Sequence, residues 1–468
     1  MLGLVNDRAH QLKGMNGRKS RIGFNLRLLM AVGLAECLAV FWLYRILFPL
    51  ALLLALPAYL RRAWGRGGLR EKFSERLGAH PTQSRVGRSG PLIWLQAVSV
   101  GEVLAIAPFL EELHQAGVLV YLTTTTSTGY AIASARYASW VVGVGYFPVD
   151  VWPVSARAWR RIDPDMVILT EGERWPEHLQ QAKRRGVPVI AINARLSDRS
   201  FRRMNRFRPA ARLMLDGVDR WLCGSAQDAA RLRELGVAEA ALLTTGNLKF
   251  DVAIPRLLET DLVGLRRELG LPDGLVLLGS STWPGEEAAM LEVLKVTRAR
   301  GLSSSLLLVP RHAERRGEIE RLLVKSGLRF HFRSHGPALS EVDVSVADTT
   351  GELRRLTQVA DLVFVGKSLP PHTEGQTPLE AAALGRALVL GPGMTNFRVI
   401  ARELVEAGAA VRVESADQLV TTVVALLSEV SRREQLAVAA AAWHQRNAGA
   451  VARTLTVVKA ELSRRSIG

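Results

Sequence analysis

Short, almost uninterrupted apolar runs alternate with amphipathic stretches along most of this chain. PLIWLQAV, GVLVYLTT, DMVILTE, VPVIAIN and RWLCGS fall in the first half; GLVLLGS, SSSLLLVP, ADLVFVG and RALVLGP fall in the second. Runs of four to eight apolar residues between turn signals read as strands buried on both faces, which belong to parallel sheets covered by helices. This βαβ rhythm predicts an α/β protein with doubly wound sheets, whose functional loops lie at the carboxyl ends of the strands. The rhythm breaks at GNLKFDVAIP, Gly246 to Pro255, and then resumes. Because 468 residues exceed what one core holds, the expectation is two Rossmann-like domains, 63–250 and 255–445, facing a cleft that is a common kind of ligand site.

Ahead of the first strand, the stretch from Leu26 to Leu60 is mostly apolar, interrupted by Arg27, Glu36, Arg45, Pro49 and Pro57. Residues 1–62 therefore read as an N-terminal extension and membrane anchor. The stretch either crosses a hydrocarbon core, which takes about 20 residues, or forms two shorter pieces of which the second, kinked one lies in the interface. Its length and the lack of a small-residue cleavage site disfavour a signal peptide. Arg61, Arg62, Arg66, Arg70 and Lys72 follow it and place the remaining chain on the cytoplasmic side, although Lys13, Arg18, Lys19 and Arg21 precede it. A formal net charge of +17 calls for an anionic partner. Without zinc-finger spacing or a basic and aromatic RNA-binding signature, the expected partner is a membrane and not nucleic acid. Cys37 and Cys223 form no disulfide framework, which suits a reducing compartment.

Polar residues cluster where strands should end, and each cluster has a plain structural reading. In QAVSVGEVLAIAPFL, Ser99 and Glu102 match a capping box around Gly101, yet a carboxylate there could also serve as general base. TTTTSTGY, which includes Thr125, is a hydroxyl-rich turn or a ligand contact. Glu171 and Glu173 either complement a helix dipole or belong to a site. Arg195, Arg199, Arg202 and Arg203 form a solvated basic face or grip an anion, and Arg311 beside His312 could hold a phosphate. In HTEGQTPLEAAALGRALVLGP, Thr377 as N-cap, Pro378 at the first helical position and Glu380 at the third make a capping box. Gly375 would leave helix N–H groups there open to an anion. The Asp163–Pro164–Asp165 triplet reads as a turn instead of a metal motif, and no Walker A, HExxH or GxSxG sequence occurs.

Taken in order, VSVGE, TEGERWP, NARLSDRS, GNLKFD, STWPGEE, PRHAER, DTTGEL and PLEAA resemble the bacterial 3-deoxy-D-manno-octulosonic acid (Kdo) transferases. The resemblance implies a GT-B fold, CMP-Kdo as donor and inverting transfer to a lipid A precursor of the lipid IVA type at the inner membrane, with no metal and no cofactor. It implies Glu102 as catalytic base. Ser99, Gly101, Thr125, Glu171, Glu173 and Arg195 are placed on the acceptor side or in the site's architecture. Ser281, Thr282, Arg311, Gly375, Gln376, Thr377 and Glu380 are placed on the donor side, in the second domain. Residues 446–468, with a helix at about Val451 to Ser463, are expected to return toward the first domain. Four features depart from the family pattern: Gln376 and Thr377 replace histidine and asparagine after a loop, SLPPHTEG, that is one residue longer; Trp283 replaces histidine; Lys367 replaces glycine; Glu177 replaces asparagine. The alternatives are a GT-B transferase for another nucleotide sugar, or a catalytically silent membrane-bound protein that binds one.

Overall fold

The structure, a computed structural model, describes residues 39–57, 61, 72–83 and 89–466. The basic residues Lys13, Arg18, Lys19, Arg21, Arg62, Arg66 and Arg70, together with Arg27, Glu36, Cys37 and the rest of 26–38 and 58–60, lie outside the described residues. Among the described residues are two seven-stranded sheets, and every strand pair in them is parallel. The first contains β1 (Leu92–Gln96), β2 (Leu119–Thr124), β3 (Gly143–Tyr146), β4 (Met166–Thr170), β5 (Val189–Ala194), β6 (Arg220–Cys223) and β7 (Leu242–Thr244), in the order β3-β2-β1-β4-β5-β6-β7. The second contains β8 (Leu275–Thr282), β9 (Ser304–Pro310), β10 (Phe330–Phe332), β11 (Val344–Val346), β12 (Leu362–Val365), β13 (Ala387–Leu390) and β14 (Ala410–Arg412), in the order β10-β11-β9-β8-β12-β13-β14.

Every apolar run named above became a strand, because residues with apolar side chains on both faces can only be buried between two helical layers. All residues of β1, β4, β5, β9, β12 and β13 are buried. Five further strands carry no such signal. β3 is interrupted by Gly143 and Gly145, and β7, β10, β11 and β14 are three residues long and lie at or next to sheet edges.

By packing, the described residues up to Asp251 join Gly449 onward in one compact unit, and Val252–Ala448 form the other. The final helix, Ala450–Ser466, buries Ala450, Val451, Leu455 and Val458 in the core of the first unit. The Asp251 carboxylate accepts the backbone N–H groups of Gly449 and Val451, and Arg220 pairs with Glu461 at 2.8 Å.

A helix at Ala39–Pro57, with a mean hydropathy of 2.1, is long and apolar enough to cross a membrane, and it runs through Pro49 as one piece. Trp42, Leu43, Ile46, Leu47, Leu50, Leu53 and Leu54 are exposed along it. Its polar residues instead join the first unit. Tyr44 donates to Asp150 at 2.6 Å, and the Arg45 fork meets both oxygens of Glu177 at 2.8 and 2.9 Å. Glu177 is 0% exposed, so it places a buried charge opposite Arg45. Asp150 also accepts the N–H groups of Glu177 and His178, which fastens the helix Pro176–Arg185 to the same point.

His178 is buried beside Trp94 and Phe147. Its Nδ1 accepts from Trp159 Nε1 at 3.1 Å and its Nε2 donates to Pro148 O at 3.2 Å, which suits the neutral ring. Burial pushes its pKa down to about 3.

Two outcomes follow. Removing one partner of a buried bidentate pair strands the other charge, so Arg45→Met should lower unfolding stability in detergent by about 3–5 kcal/mol. Adding Glu177→Gln should recover most of that loss; an Arg45→Met protein as stable as the parent would contradict the clamp. For His178, a depressed folded pKa means that its contribution is complete above the unfolded value of 6.5 and is lost as pH falls below it. Asp150, pushed up to about 6 by burial, acts in the opposite sense, so the test compares variant with parent. His178→Gln, which keeps one acceptor and one donor, should lose less melting temperature between pH 7 and pH 5 than the parent does.

Candidate active site

Each sheet has a central switch point, between β1 and β4 in the first and between β8 and β12 in the second, in which β11 also turns back to lie between β9 and the edge strand β10. Ligands of open α/β sheets bind outside the carboxyl ends of the strands at such a switch. At the first, Ser99 caps the helix Val100–Ala105 and accepts the Glu102 N–H at 3.4 Å. The Glu102 carboxylate accepts from Ser99 Oγ at 3.2 Å, from the Val98 N–H at 3.0 Å and, across the switch, from Thr170 Oγ1 at 2.6 Å. No cation pairs with it among the described residues. A Cβ at Gly101 would meet only Ser99 Oγ, at 3.9 Å, so the fold leaves open space at Gly101, next to Glu102 in the chain.

The neighbouring strand ends complete the group. Thr125 Oγ1 accepts from Gln96 Nε2 at 3.0 Å, while Thr126 and not Thr125 caps the helix Ser127–Tyr137. Glu171 sits at φ 51° and accepts from Lys249 Nζ at 3.0 Å and Asn193 Nδ2 at 3.4 Å. Arg195 Nη1 lies 3.9 Å from the same oxygen. Glu173 accepts from Trp175 Nε1 at 2.8 Å, and burial, followed by the negative charge of Glu102, raises its pKa. Arg199, Arg202 and Arg203 are exposed on the helix Asp198–Arg206. Lys249 was missed as a site residue. Its only sign in the sequence is its place in the GNLKFD block, 78 residues from the glutamate that it pairs with.

At the second switch, the loops after β8 and β12 press together. A Cβ on Gly366 would lie 2.5 Å from Ser281 O, and Ser281 and Lys367 both adopt positive φ, 55° and 56°. Glu286, 1% exposed and at the first position of the helix Glu286–Ala299, binds both loops. One of its oxygens accepts the N–H groups of Trp283 and Lys367 at 2.9 and 2.8 Å; the other accepts those of Ser368 and Leu369 at 2.8 and 3.1 Å. Sequence reasoning also missed this residue, whose partners after β12 are more than 80 positions away. Thr282 is buried, with no partner for its hydroxyl among the described residues. Arg311 follows β9, its backbone N–H bonded to Thr282 O at 3.1 Å, and its guanidinium is exposed without a partner among the described residues.

One expectation at the PLEAA block is corrected. The helix begins later than the capping box required: it spans Leu379–Ala383 with Pro378, at φ −90° and ψ −1°, as the N-cap. Thr377 Oγ1 still accepts the Leu379 N–H at 3.3 Å, but Glu380 stands at the second helical position and makes no reciprocal bond. Its Oε1 is 3.8 Å from Arg354 Nε, and its Oε2 is shielded from solvent with no partner among the described residues. Ahead of the helix, the backbone N–H groups of Gly375 and Gln376 donate to Lys367 O and Gly366 O at 2.8 and 3.1 Å, so these two are not available to an anion. Gly375 is demanded by packing instead, because at φ 70° a Cβ would lie 2.5 Å from Met394 Sδ. At the triplet Asp163–Asp165, Asp163 ends the helix Trp152–Ile162 at φ 45° and Asp165 accepts the Leu92 N–H at 2.8 Å, so the turn reading describes the geometry.

A family profile described as 3-Deoxy-D-manno-octulosonic-acid transferase (kdotransferase) matches residues 71–252. The 3-deoxy-D-manno-octulosonic acid transferase of Bordetella pertussis is 34% identical over 85% of this chain and 94% of its own length. The transferase of the same name from Haemophilus influenzae is 32% identical over 84% of this chain and 92% of its own. Among solved structures, Anabaena HepE in complex with UDP superposes with a TM-score of 0.56 at 15% identity, covering 80% of this chain and all of HepE. That likeness concerns the fold, which is of the GT-B type with two Rossmann-like units.

Each buried N–H left without an acceptor costs on the order of 1–3 kcal/mol. Glu286→Gln turns an amide group toward two of its four donors, so it should destabilise the protein by about 3 kcal/mol or more and open the 366–376 loop to protease. Unchanged denaturation and unchanged cleavage would show that Glu286 does not hold this loop.

Proposed function

The chain belongs to the 3-deoxy-D-manno-octulosonic acid transferase family, and from that premise we propose that it transfers Kdo from CMP-Kdo to a hydroxyl of a lipid A precursor of the lipid IVA type, with inversion. It is a glycosyltransferase of lipopolysaccharide biosynthesis. In this reading the unit Val252–Ala448 takes the donor, and the unit built on the first sheet takes the acceptor. The observation that carries it is Glu102: a carboxylate at the switch between β1 and β4, oriented by three donors and neutralised by no described cation. Such a group can accept the proton of an attacking hydroxyl. Burial of Glu173 close by lets that residue hold a proton more readily than a solvated carboxylate, which limits the repulsion between the two.

On the donor side, Glu380 offers ribose hydroxyls a carboxylate oxygen that no described group satisfies. A buried acceptor of this kind is costly until a ligand supplies the donor. The exposed Arg311 fork suits the phosphate of the leaving nucleotide, so the transfer is proposed to need neither metal nor cofactor. Thr282 meets Arg311 through its carbonyl oxygen, and Gln376 and Thr377 precede Glu380 in the chain. The helix Ala39–Pro57 would hold the protein at the inner membrane, where an acylated acceptor resides. Arg61 and Lys72 follow it and favour the cytoplasmic side for both units.

The decisive experiment incubates the purified full chain with CMP-Kdo and a lipid A precursor and reads product masses, with UDP-sugars as parallel donors. Transfer from a UDP-sugar alone, or from no donor, would overturn the reading. In the same assay Glu102→Gln should lower kcat by about 10²- to 10⁴-fold with donor binding retained. Glu380→Gln should chiefly raise the KM for the donor; a change in melting temperature alone would return it to a structural role.

A further inference from the structure

Two of the departures from the family pattern, Trp283 and Lys367, lie far apart in the sequence and together in space, and the longer loop adds a third residue to them. Trp283 follows β8, Lys367 follows β12, and Glu374 lies in the longer loop. Lys367 Nζ stands 4.1 Å above the centroid of the Trp283 ring and 3.2 Å from Glu374 Oε1. The indole is met edge-on by His312 at 5.1 Å and at a tilt by His372 at 5.7 Å, and His372 Nε2 reaches Pro284 O at 2.9 Å. The Trp283 indole N–H is shielded from solvent with no partner among the described residues. Below them, the backbone N–H groups of Trp283 and Lys367 share one oxygen of Glu286, so the two residues are fixed to each other at the switch between β8 and β12.

This is where an open α/β sheet holds its ligand, and an ammonium pinned over an aromatic face there is a point charge for an anion. Its described counter-charge is a carboxylate whose side chain is 44% exposed, which solvent or a ligand can replace. We infer that Lys367 is a specificity-determining residue of this chain that binds an anionic group of the nucleotide sugar, with Trp283 presenting the ammonium and Glu374 occupying it until the donor arrives. The inference rests on the reading that Val252–Ala448 binds the donor. The anion is either the nucleotide phosphate or a sugar carboxylate, and both demand the same cation.

Titration calorimetry on the full chain in detergent with cytidine, CMP and CMP-Kdo separates the cases. Lys367→Met should weaken binding of CMP and CMP-Kdo about tenfold and leave cytidine unchanged if the phosphate is held; it should weaken CMP-Kdo alone if the carboxylate is held. Lys367→Arg should retain most of the affinity, and Glu374→Gln should raise it by freeing the ammonium. Lys367→Met that binds all three ligands like the parent, or that only melts earlier, overturns the inference while leaving the donor unit in place. A parent protein that binds neither CMP nor CMP-Kdo overturns the donor-unit reading itself, and the inference with it.

Discussion

In both units a glutamate reaches across the switch point of a parallel sheet, and the rest of the architecture depends on that contact. A doubly wound sheet leaves a gap where neighbouring strands send their chains to opposite sides, and the loops bordering that gap have no ladder to order them. Glu102 joins the ends of β1 and β4 through Thr170, and Glu286 joins the loops after β8 and β12 through four backbone N–H groups. The two have different fates because their surroundings differ. With four donors in a closed environment, Glu286 has little capacity left and acts as a tie. Glu102 is only half-buried, has a second carboxylate nearby and open space at Gly101, so its charge remains available for chemistry.

Fixed loop ends let unusual residues stand at a site. Ser281 and Lys367 hold positive φ without being glycine, a conformation that costs energy and persists only where neighbours impose it. Glu286 and the contact of Gly366 with Ser281 do so here. A comparable logic governs the apolar helix Ala39–Pro57. Apolar side chains alone would leave its position on the first unit free to slide, whereas Arg45 on Glu177 and Tyr44 on Asp150 set one register.

How much could be read in advance follows from the range of each interaction. Central strands such as β1, β4, β9 and β12 announce themselves, because burial on both faces requires an unbroken apolar run. Edge strands such as β7, β10 and β14 are too short to carry a pattern. The Ser99 cap with Glu102 was legible because its partners are three and four residues apart. At Glu380 the same local rule misplaced the helix start by one residue, since Pro378 and not Thr377 stands at the cap.

The sequence by itself determined the α/β class, the break between two parallel sheets, the apolar segment and the order of motifs that marks the family, all of which depend on periodicity or on residues close in the chain. Only the tertiary structure decided that Lys249 neutralises Glu171, that Glu286 ties two loops, that Arg45 meets Glu177, and that Trp283, Lys367 and Glu374 form one cluster. Hydrogen bonds and ion pairs act over a few ångströms of space, so where the partners are some 80 to 130 residues apart, as in the first three of these contacts, no local pattern records them until the sheets bring the strand ends together.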